Sequence, residues 1–333
     1  MAFQQAKSSQ PFASGEGVKS RVSNEMKTFD VVALGEAMVE FNQTTAGLPG
    51  YLRGFGGDTS NSVIAAARAG ARCGYLSRVG CDTFGQALLD LWTEEGVVTT
   101  AIERDAEHPT GIYFVNHGPN GHEFSYLRAG SAASRMTPAW LQKGAANDLV
   151  AASKILHVSG ISMAISSSSC DTVFAAIQLA REAATLVSFD ANLRLKLWPL
   201  ARARACITQA ISMSDIFLPS MEDASILCGL NDPDQIVDWG HSLGAQIVVL
   251  KLGSEGALVS DGSGRERIAG HEVQLMDATG AGDCFNGNLL ARMAQGCTAF
   301  EAAHYANAAA ALAVQGFGAV APLPRPDAVR ALL

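Results

Sequence analysis

Asp277-Ala278-Thr279-Gly280-Ala281-Gly282-Asp283 is the stretch of this chain best equipped for chemistry, set between the run Val273 to Met276 and a helical run from Cys284 to Gln295. A glycine-rich turn that opens a helix presents unpaired backbone N–H groups at the positive end of the helix dipole, which makes it an anion site. The small residues Gly280, Ala281 and Gly282 let a phosphate approach the backbone, and Asp283 stands beside it. A carboxylate there can take a proton from an attacking hydroxyl while the N–H groups hold a transferring phosphoryl group. The same residues also read as a tight turn with Asp283 as an ordinary N-cap, and taken alone they leave both readings open. No G-x-x-x-x-G-K-[ST] occurs, so a P-loop is excluded as the phosphate cradle, and no G-x-G-x-x-G follows the first strand, which argues against a dinucleotide-binding dehydrogenase.

Other candidates gather where apolar runs end. Asp190, Asn192 and Arg194 lie just past one such run, at the carboxyl edge where open α/β sheets bind ligands. Lys251 and Gly253 end another and Gly256 follows closely, as in a nucleotide-side loop, although Lys251 reads equally as a solvated cation. The seven histidines are dispersed; His157, in an apolar strand, reads as core. No His or Cys cluster suggests a permanent transition-metal site.

These residues need a scaffold, and the chain is long and apolar enough to supply one: 333 residues, 48% hydrophobic and 17% charged, with a mean hydropathy of +0.15. That excludes a disordered chain or a small stapled scaffold. The net charge of −8 without a long basic run makes nucleic acid an unsuitable partner. Seven scattered cysteines without a C-x-x-C pair suit a reduced cytoplasmic protein, and no window is apolar enough for a membrane helix. Residues 1–28 read as a flexible N-terminal tail, with an organelle-targeting peptide as the lesser reading. From Val31 onward short apolar runs alternate with helical spacing, the pattern of βα units and a mostly parallel sheet. Strands are expected at 31–34, 73–79, 155–159, 185–190, 216–218 and 247–251, with helices over 60–69, 284–295 and 299–314. The rhythm breaks twice. Mixed polar and aromatic residues at about 41–56, and the runs 112–116 and 124–128 around His117-Gly118-Pro119-Asn120-Gly121, read as strands of a small β-flap inserted at about 41–56 and 108–130.

Here a resemblance becomes specific. Asp277-x-Thr279-Gly280-Ala281-Gly282-Asp283-x-Phe285 resembles the C-terminal signature of the ribokinase-like, or PfkB, carbohydrate kinases, and Gly56-Gly57-Asp58-x-x-Asn61 resembles their N-terminal one. The similarity spans about Val31 to Pro322. It implies an α/β, three-layer α/β/α ribokinase-like domain over 29–333 with a small β-sheet lid. It also implies MgATP-dependent phosphorylation of a sugar hydroxyl, with Asp283 as base and Gly280, Ala281 and Gly282 as the anion hole. Gly54-Phe55-Gly56-Gly57-Asp58-Thr59-x-Asn61, His157 to Ser162, Phe189 to Arg194, Leu197-Trp198 and Tyr126-x-Arg128 with Ser131-Ala132-Ala133 resemble the 2-keto-3-deoxygluconate kinases of that family, which phosphorylate the terminal hydroxyl of a six-carbon keto acid.

That substrate carries a carboxylate, and Arg128 on the lid hairpin would clamp it through a bidentate guanidinium. Tyr113 and Tyr126 would supply hydroxyls, or else only lid packing. By the same resemblance Gly57, Asp58, Asn61 and Arg194 face the sugar acid, while Asn192, Lys251, Gly253, Gly256 and Asn307 face ATP. One element departs: where relatives carry N-x-x-E for water-mediated Mg²⁺, this chain has Ser220-Met221-Glu222-Asp223, leaving Asp223 or Glu222 for the role. The resemblance also allows a monovalent cation. Alternatives are another PfkB sugar kinase, such as a fructokinase, ribokinase or related keto-gluconate kinase, or a non-catalytic sugar-binding regulator. A lid with apolar faces too small to bury themselves implies a homodimer through the lid. No membrane partner is expected.

Overall fold

The computed structural model describes residues 27–118, 121–142 and 144–333. The expected tail falls outside these except for Lys27 and Thr28, as do Pro119 and Asn120 of the hairpin turn. In the first half the elements are β1 (Phe29–Leu34), β2 (Met38–Gln43), β3 (Tyr51–Gly56), α1 (Asp58–Arg68), β4 (Cys73–Gly80), α2 (Thr83–Glu94), β5 (Ile102–Asp105), β6 (Ile112–Gly118), β7 (Gly121–Leu127), α3 (Pro138–Leu141), α4 (Ala145–Ala151) and β8 (Ser153–Ser159). Then follow α5 (Gly160–Ala164), α6 (Ser167–Glu182), β9 (Leu186–Asp190), α7 (Leu200–Ser212), β10 (Ile216–Phe217), α8 (Met221–Cys228), α9 (Pro233–Ser242), β11 (Ile247–Lys251), β12 (Ala257–Asp261), β13 (Gly264–Ile268), α10 (Ala281–Ala294), α11 (Ala299–Ala313) and α12 (Pro326–Leu332).

The large sheet has nine strands in the order β13-β12-β11-β10-β9-β8-β1-β4-β5. From β11 to β5 every pairing is parallel; β12 and β13 extend the β11 edge antiparallel. Its central strands are rich in apolar residues on both faces because both are covered. In β1, Val31 and Ala33 enter the core beneath α1, α2, α10 and α11, whereas Val32 and Leu34 enter the core beneath α3 to α9. Each valine or leucine so buried contributes roughly 1.5–3 kcal/mol. This is the three-layer α/β/α architecture expected, with every expected core strand and helix present.

The second sheet has four strands in the order β3-β2-β6-β7. Its β2 begins at Met38, three residues before the expected flap, and pairs parallel with β6, Glu40 lying opposite Tyr113. Because β2 follows β1 so closely, and β3 leads directly into α1, this small sheet stands over the carboxyl edge of the large one. One of its faces packs Phe41 against Phe84 of α2 at 5.8 Å between ring centres. The other carries Glu40, Tyr113 and Tyr126.

Two glycines fix the elements that carry chemistry. Gly57 has φ 128°, and a Cβ there would lie 2.5 Å from the Glu36 carbonyl oxygen, so only glycine can turn from β3 into α1. Gly287 in α10 would place a Cβ 2.1 Å from the Ser62 carbonyl oxygen, and its absence lets α1 and α10 touch backbone to backbone. Gly287→Ala is expected to separate the two helices, costing about 1–3 kcal/mol by overpacking. Turnover should fall with the melting temperature; unchanged values of both would refute the close crossing.

Candidate active site

Seven helices are capped by side-chain oxygens, those of Asp82, Thr137, Ser159, Ser166, Ser220, Asp232 and Thr298. The two that open onto the cleft, α1 and α10, instead start from Gly57 and Gly280, with no side-chain cap. Their first-turn N–H groups therefore have no side-chain oxygen of the chain to accept from them. Gly280 adopts φ 75° against Ala319. Within the expected anion hole, the Ala281 N–H already turns back to the Ala278 carbonyl at 3.2 Å. A Cβ on Gly282 would come within 3.6 Å of the Lys251 ammonium, so a cation stands beside this turn.

Asp283 lies in the first turn of α10 and accepts a hydrogen bond at Oδ2 from Asn61 Nδ2 of α1, 2.8 Å away. Burial, reinforced by the nearby negative charges of Asp58 and Asp190, pushes its carboxyl up to about 7. It thus stands poised between a carboxylate and an acid at neutral pH. Asn61 Oδ1 and Asp58 Oδ1 are both buried without a hydrogen-bond partner among the described residues, two acceptors at one cleft with nothing to accept from. Burial raises the Asp58 carboxyl above its usual range as well, and its Oδ2 accepts from Asn192 Nδ2 at 3.2 Å.

Asn192 holds φ 31°, a rare value for a residue with a side chain, just past the end of β9. There Asp190 accepts from Lys251 Nζ at 2.8 Å and from Asn286 Nδ2 at 2.6 Å. Burial works against the Asp190 charge, but Lys251 overcomes it and the carboxyl sits below its ordinary range. Lys251 also donates to Asn286 Oδ1 at 3.1 Å. The cation expected on the ATP side is thus one corner of a buried Asp190–Lys251–Asn286 triangle, not a solvated charge.

The start of α8 places the two magnesium candidates differently. Ser220 caps α8 by accepting from the Asp223 N–H at 3.1 Å, which turns Asp223 inward and leaves Glu222 exposed. Burial, then the charge of Asp190, raises the Asp223 carboxyl, with Arg194 opposing the shift. Arg194 is exposed and donates to the Leu193 carbonyl. Gly253 starts an open turn at φ 62°, whereas Gly256 is required by the Ile268 carbonyl, 2.0 Å from where its Cβ would lie. Asn307 is buried and donates to the Ala269 carbonyl at 2.7 Å. His157 is core, as expected, its imidazole pushed down to about 4 by burial and so neutral.

On the lid side, the Tyr113 hydroxyl is buried and donates to Glu40 Oε2 at 2.5 Å, so it faces a carboxylate instead of open cleft. Tyr126 stacks on it at 5.6 Å and is 47% exposed. Arg128 donates through Nε and Nη2 to Glu36 Oε2, the former at 2.8 Å. Its Nη1 makes no hydrogen bond to another described residue. Glu36, Glu40 and Asn286 were not singled out from sequence. Each is buried, and each is satisfied by hydrogen bonds from side chains distant in sequence.

A profile described as "pfkB family carbohydrate kinase" matches residues 28–326. The chain is 35% identical over 312 residues to the 2-dehydro-3-deoxygluconokinase of Thermoproteus tenax, covering 91% of this chain and 94% of that one. It is 30% identical to the probable fructokinase-7 of Arabidopsis thaliana, covering 91% and 92%. Among solved structures, a putative ribokinase II from E. coli in complex with ATP and Mg²⁺ superposes with a TM-score of 0.83 at 25% identity, covering 91% of this chain and 98% of that one.

Proposed function

Since the chain belongs to the pfkB family of carbohydrate kinases, we propose that it phosphorylates the terminal (6-) hydroxyl of 2-keto-3-deoxygluconate (2-dehydro-3-deoxygluconate) from ATP, with Asp283 as base. The observation that carries the chemistry is the Asp283 carboxylate at the uncapped start of α10, fixed by Asn61 and tuned to about 7. Asp283 takes the proton of the 6-hydroxyl as that oxygen bonds to the γ-phosphorus; the bond from γ-phosphorus to the β-bridging oxygen breaks, and ADP leaves. The Gly280 and Gly282 amides, with Lys251 beside them, fit a phosphoryl group. The loop at Gly253 and Gly256, with Asn307 of α11 beside it through its bond to the Ala269 carbonyl, would face the nucleotide. Among the described residues no cluster of carboxylates, His or Cys is built to hold a metal. Mg²⁺, which keeps much of its water shell, would therefore ride on the phosphates with Asp223 reached through water. The bound ion supplies charge neutralisation at the phosphates.

The substrate reading rests on the dehydrodeoxygluconokinase relative and on the Arg128 guanidinium at the lid. A neutral ketose is the second reading, favoured by the fructokinase relative and by the Glu36 carboxylate, which already matches the Arg128 charge. ADP release with MgATP against 2-keto-3-deoxygluconate, 2-ketogluconate, fructose and ribose tests both. Selective turnover of the deoxy keto acid is expected, and Arg128→Ala should raise its KM far more than that of any neutral sugar. Preference for fructose or ribose would overturn the acid substrate while leaving Asp283 in place. The exposed Leu52, Tyr126 and Leu127 of the lid sheet support the expected lid-to-lid homodimer. No helix among the described residues can cross a membrane.

A further inference from the structure

The backbone passes between the large sheet and the lid four times, and the four crossings meet around one side chain. The first, Gly35 to Ala37, links β1 to β2 and carries Glu36 itself. The second is Gly57, whose Cα lies against the Glu36 carbonyl oxygen, where a Cβ would come within 2.5 Å. The third, leading into β6, is Gly111, whose Cβ would lie 2.9 Å from Glu36 Oε1; its carbonyl accepts from the Val39 N–H at 3.2 Å. The fourth, leaving β7, carries Arg128 and Ser131, both of which donate to the Glu36 carboxylate. The Glu36 side chain has no exposed surface and that of Arg128 keeps 11%. A carboxylate this deeply desolvated holds its place only with its charge matched and its oxygens bonded, and here every bond comes from the returning lid strand.

We propose that Glu36 is the positioning residue for Arg128: it pins the lid at its crossings and aims the one remaining edge of the guanidinium fork at the substrate carboxylate. The inference rests on the sugar-acid reading above and adds how selectivity is built. A guanidinium held by Nε and Nη2 cannot swing, so Nη1 presents a fixed donor to an anion. It also carries little net charge, because Glu36 cancels it. The site then discriminates by geometry more than by field, and a neutral sugar gains nothing from the arrangement. Asp58 lies within electrostatic reach of Arg128, so the donor and the unpartnered Asp58 Oδ1 share one cleft.

The test is a double-mutant cycle. Glu36→Gln keeps volume and the Ser131 bond but drops the charge, and it is expected to raise the KM for 2-keto-3-deoxygluconate about tenfold or more with kcat and the KM for ATP little changed. In an Arg128→Met background the same substitution should add no further rise in that KM. Because Glu36→Gln leaves a buried guanidinium unpaired and can impair folding, Glu36→Asp is measured beside it, with melting temperatures. The shorter carboxylate keeps the charge, melts near wild type and should still raise the acid KM. Additive KM effects in the Arg128→Met background, or a fall in kcat for every sugar in step with stability, would overturn the proposal in favour of a purely structural role. Wild-type enzyme that does not turn over any sugar acid would overturn the substrate reading itself, an outcome seen before any variant is made.

Discussion

Asp283→Asn should lower turnover by about 10²- to 10⁴-fold, the usual worth of a general base, while the protein folds and binds nucleotide as before. The substitution is conservative in the sense that matters: an asparagine Oδ1 can still accept from Asn61 Nδ2, so the contact between α1 and α10 survives. Only the capacity to take a proton goes. The wild-type profile should show the same group. With the carboxyl pushed up to about 7 by burial and by Asp58, kcat/KM should rise with pH through that value as the base ionises. Stability runs the other way. The folded value lies above the ordinary 3.8, so the folded state binds this proton more tightly than the unfolded chain does. The stability linked to it is fully present below about 3.8 and lost as pH rises through about 7. Asp283→Asn, which never ionises, escapes that loss. It should melt above wild type at pH 8, with the gap closing toward pH 5. Near-normal turnover would remove Asp283 as the base; a melting difference that does not change with pH would remove the burial argument.

How much of this could be read beforehand depends on how local the signal was. The Gly280 to Asp283 turn carries its meaning within a few residues, and it opens α10 as expected. The parallel core was legible for a similar reason: strands buried on both faces advertise themselves as apolar runs of strand length. The lid was visible only as an interruption. That β2 begins at Met38 and runs parallel to β6 depends on a pairing between segments far apart in sequence, which no local pattern encodes. Glu36 and Glu40 went unread because their burial depends on the small sheet folding over the carboxyl edge of the large one, which no local pattern encodes. Which of Glu222 and Asp223 faces inward depends on the Ser220 cap at the start of α8. Asn286 had no signal until the sheet order set β9 and β11 on either side of β10, bringing Asp190 and Lys251 to one edge where Asn286 bonds both.

That same juxtaposition predicts a large effect at Lys251, a residue whose sequence allowed a mere surface charge. Lys251 is the cation partner of a buried carboxylate, so Lys251→Met should cost about 3–5 kcal/mol, the usual result of stranding one member of a buried pair. For a chain of this length that lowers the melting temperature by roughly 5 °C. The pH dependence identifies the cause. In wild type the Asp190 carboxyl sits below its ordinary range despite burial, because Lys251 outweighs it. Its stabilising share is present above the unfolded value of about 3.8 and is lost as pH falls through the lower folded one. Without Lys251, burial acts unopposed and drives the carboxyl upward, so the deficit of the variant is greatest at neutral pH and shrinks as acid protonates Asp190. Adding Asp190→Asn removes the stranded charge and should recover most of the loss, since an amide can still bond with Asn286. The double variant also separates the two duties Lys251 can have. If it only neutralises Asp190, the KM for ATP returns to the wild-type value once the fold is restored. If its ammonium also meets the phosphates above Gly282, where 3.6 Å separates it from a Cβ position, the KM for ATP stays raised in a protein whose stability has recovered. The latter is the expected result, because a cation this close to an uncapped helix start adds to the positive field there and draws phosphate to the same point.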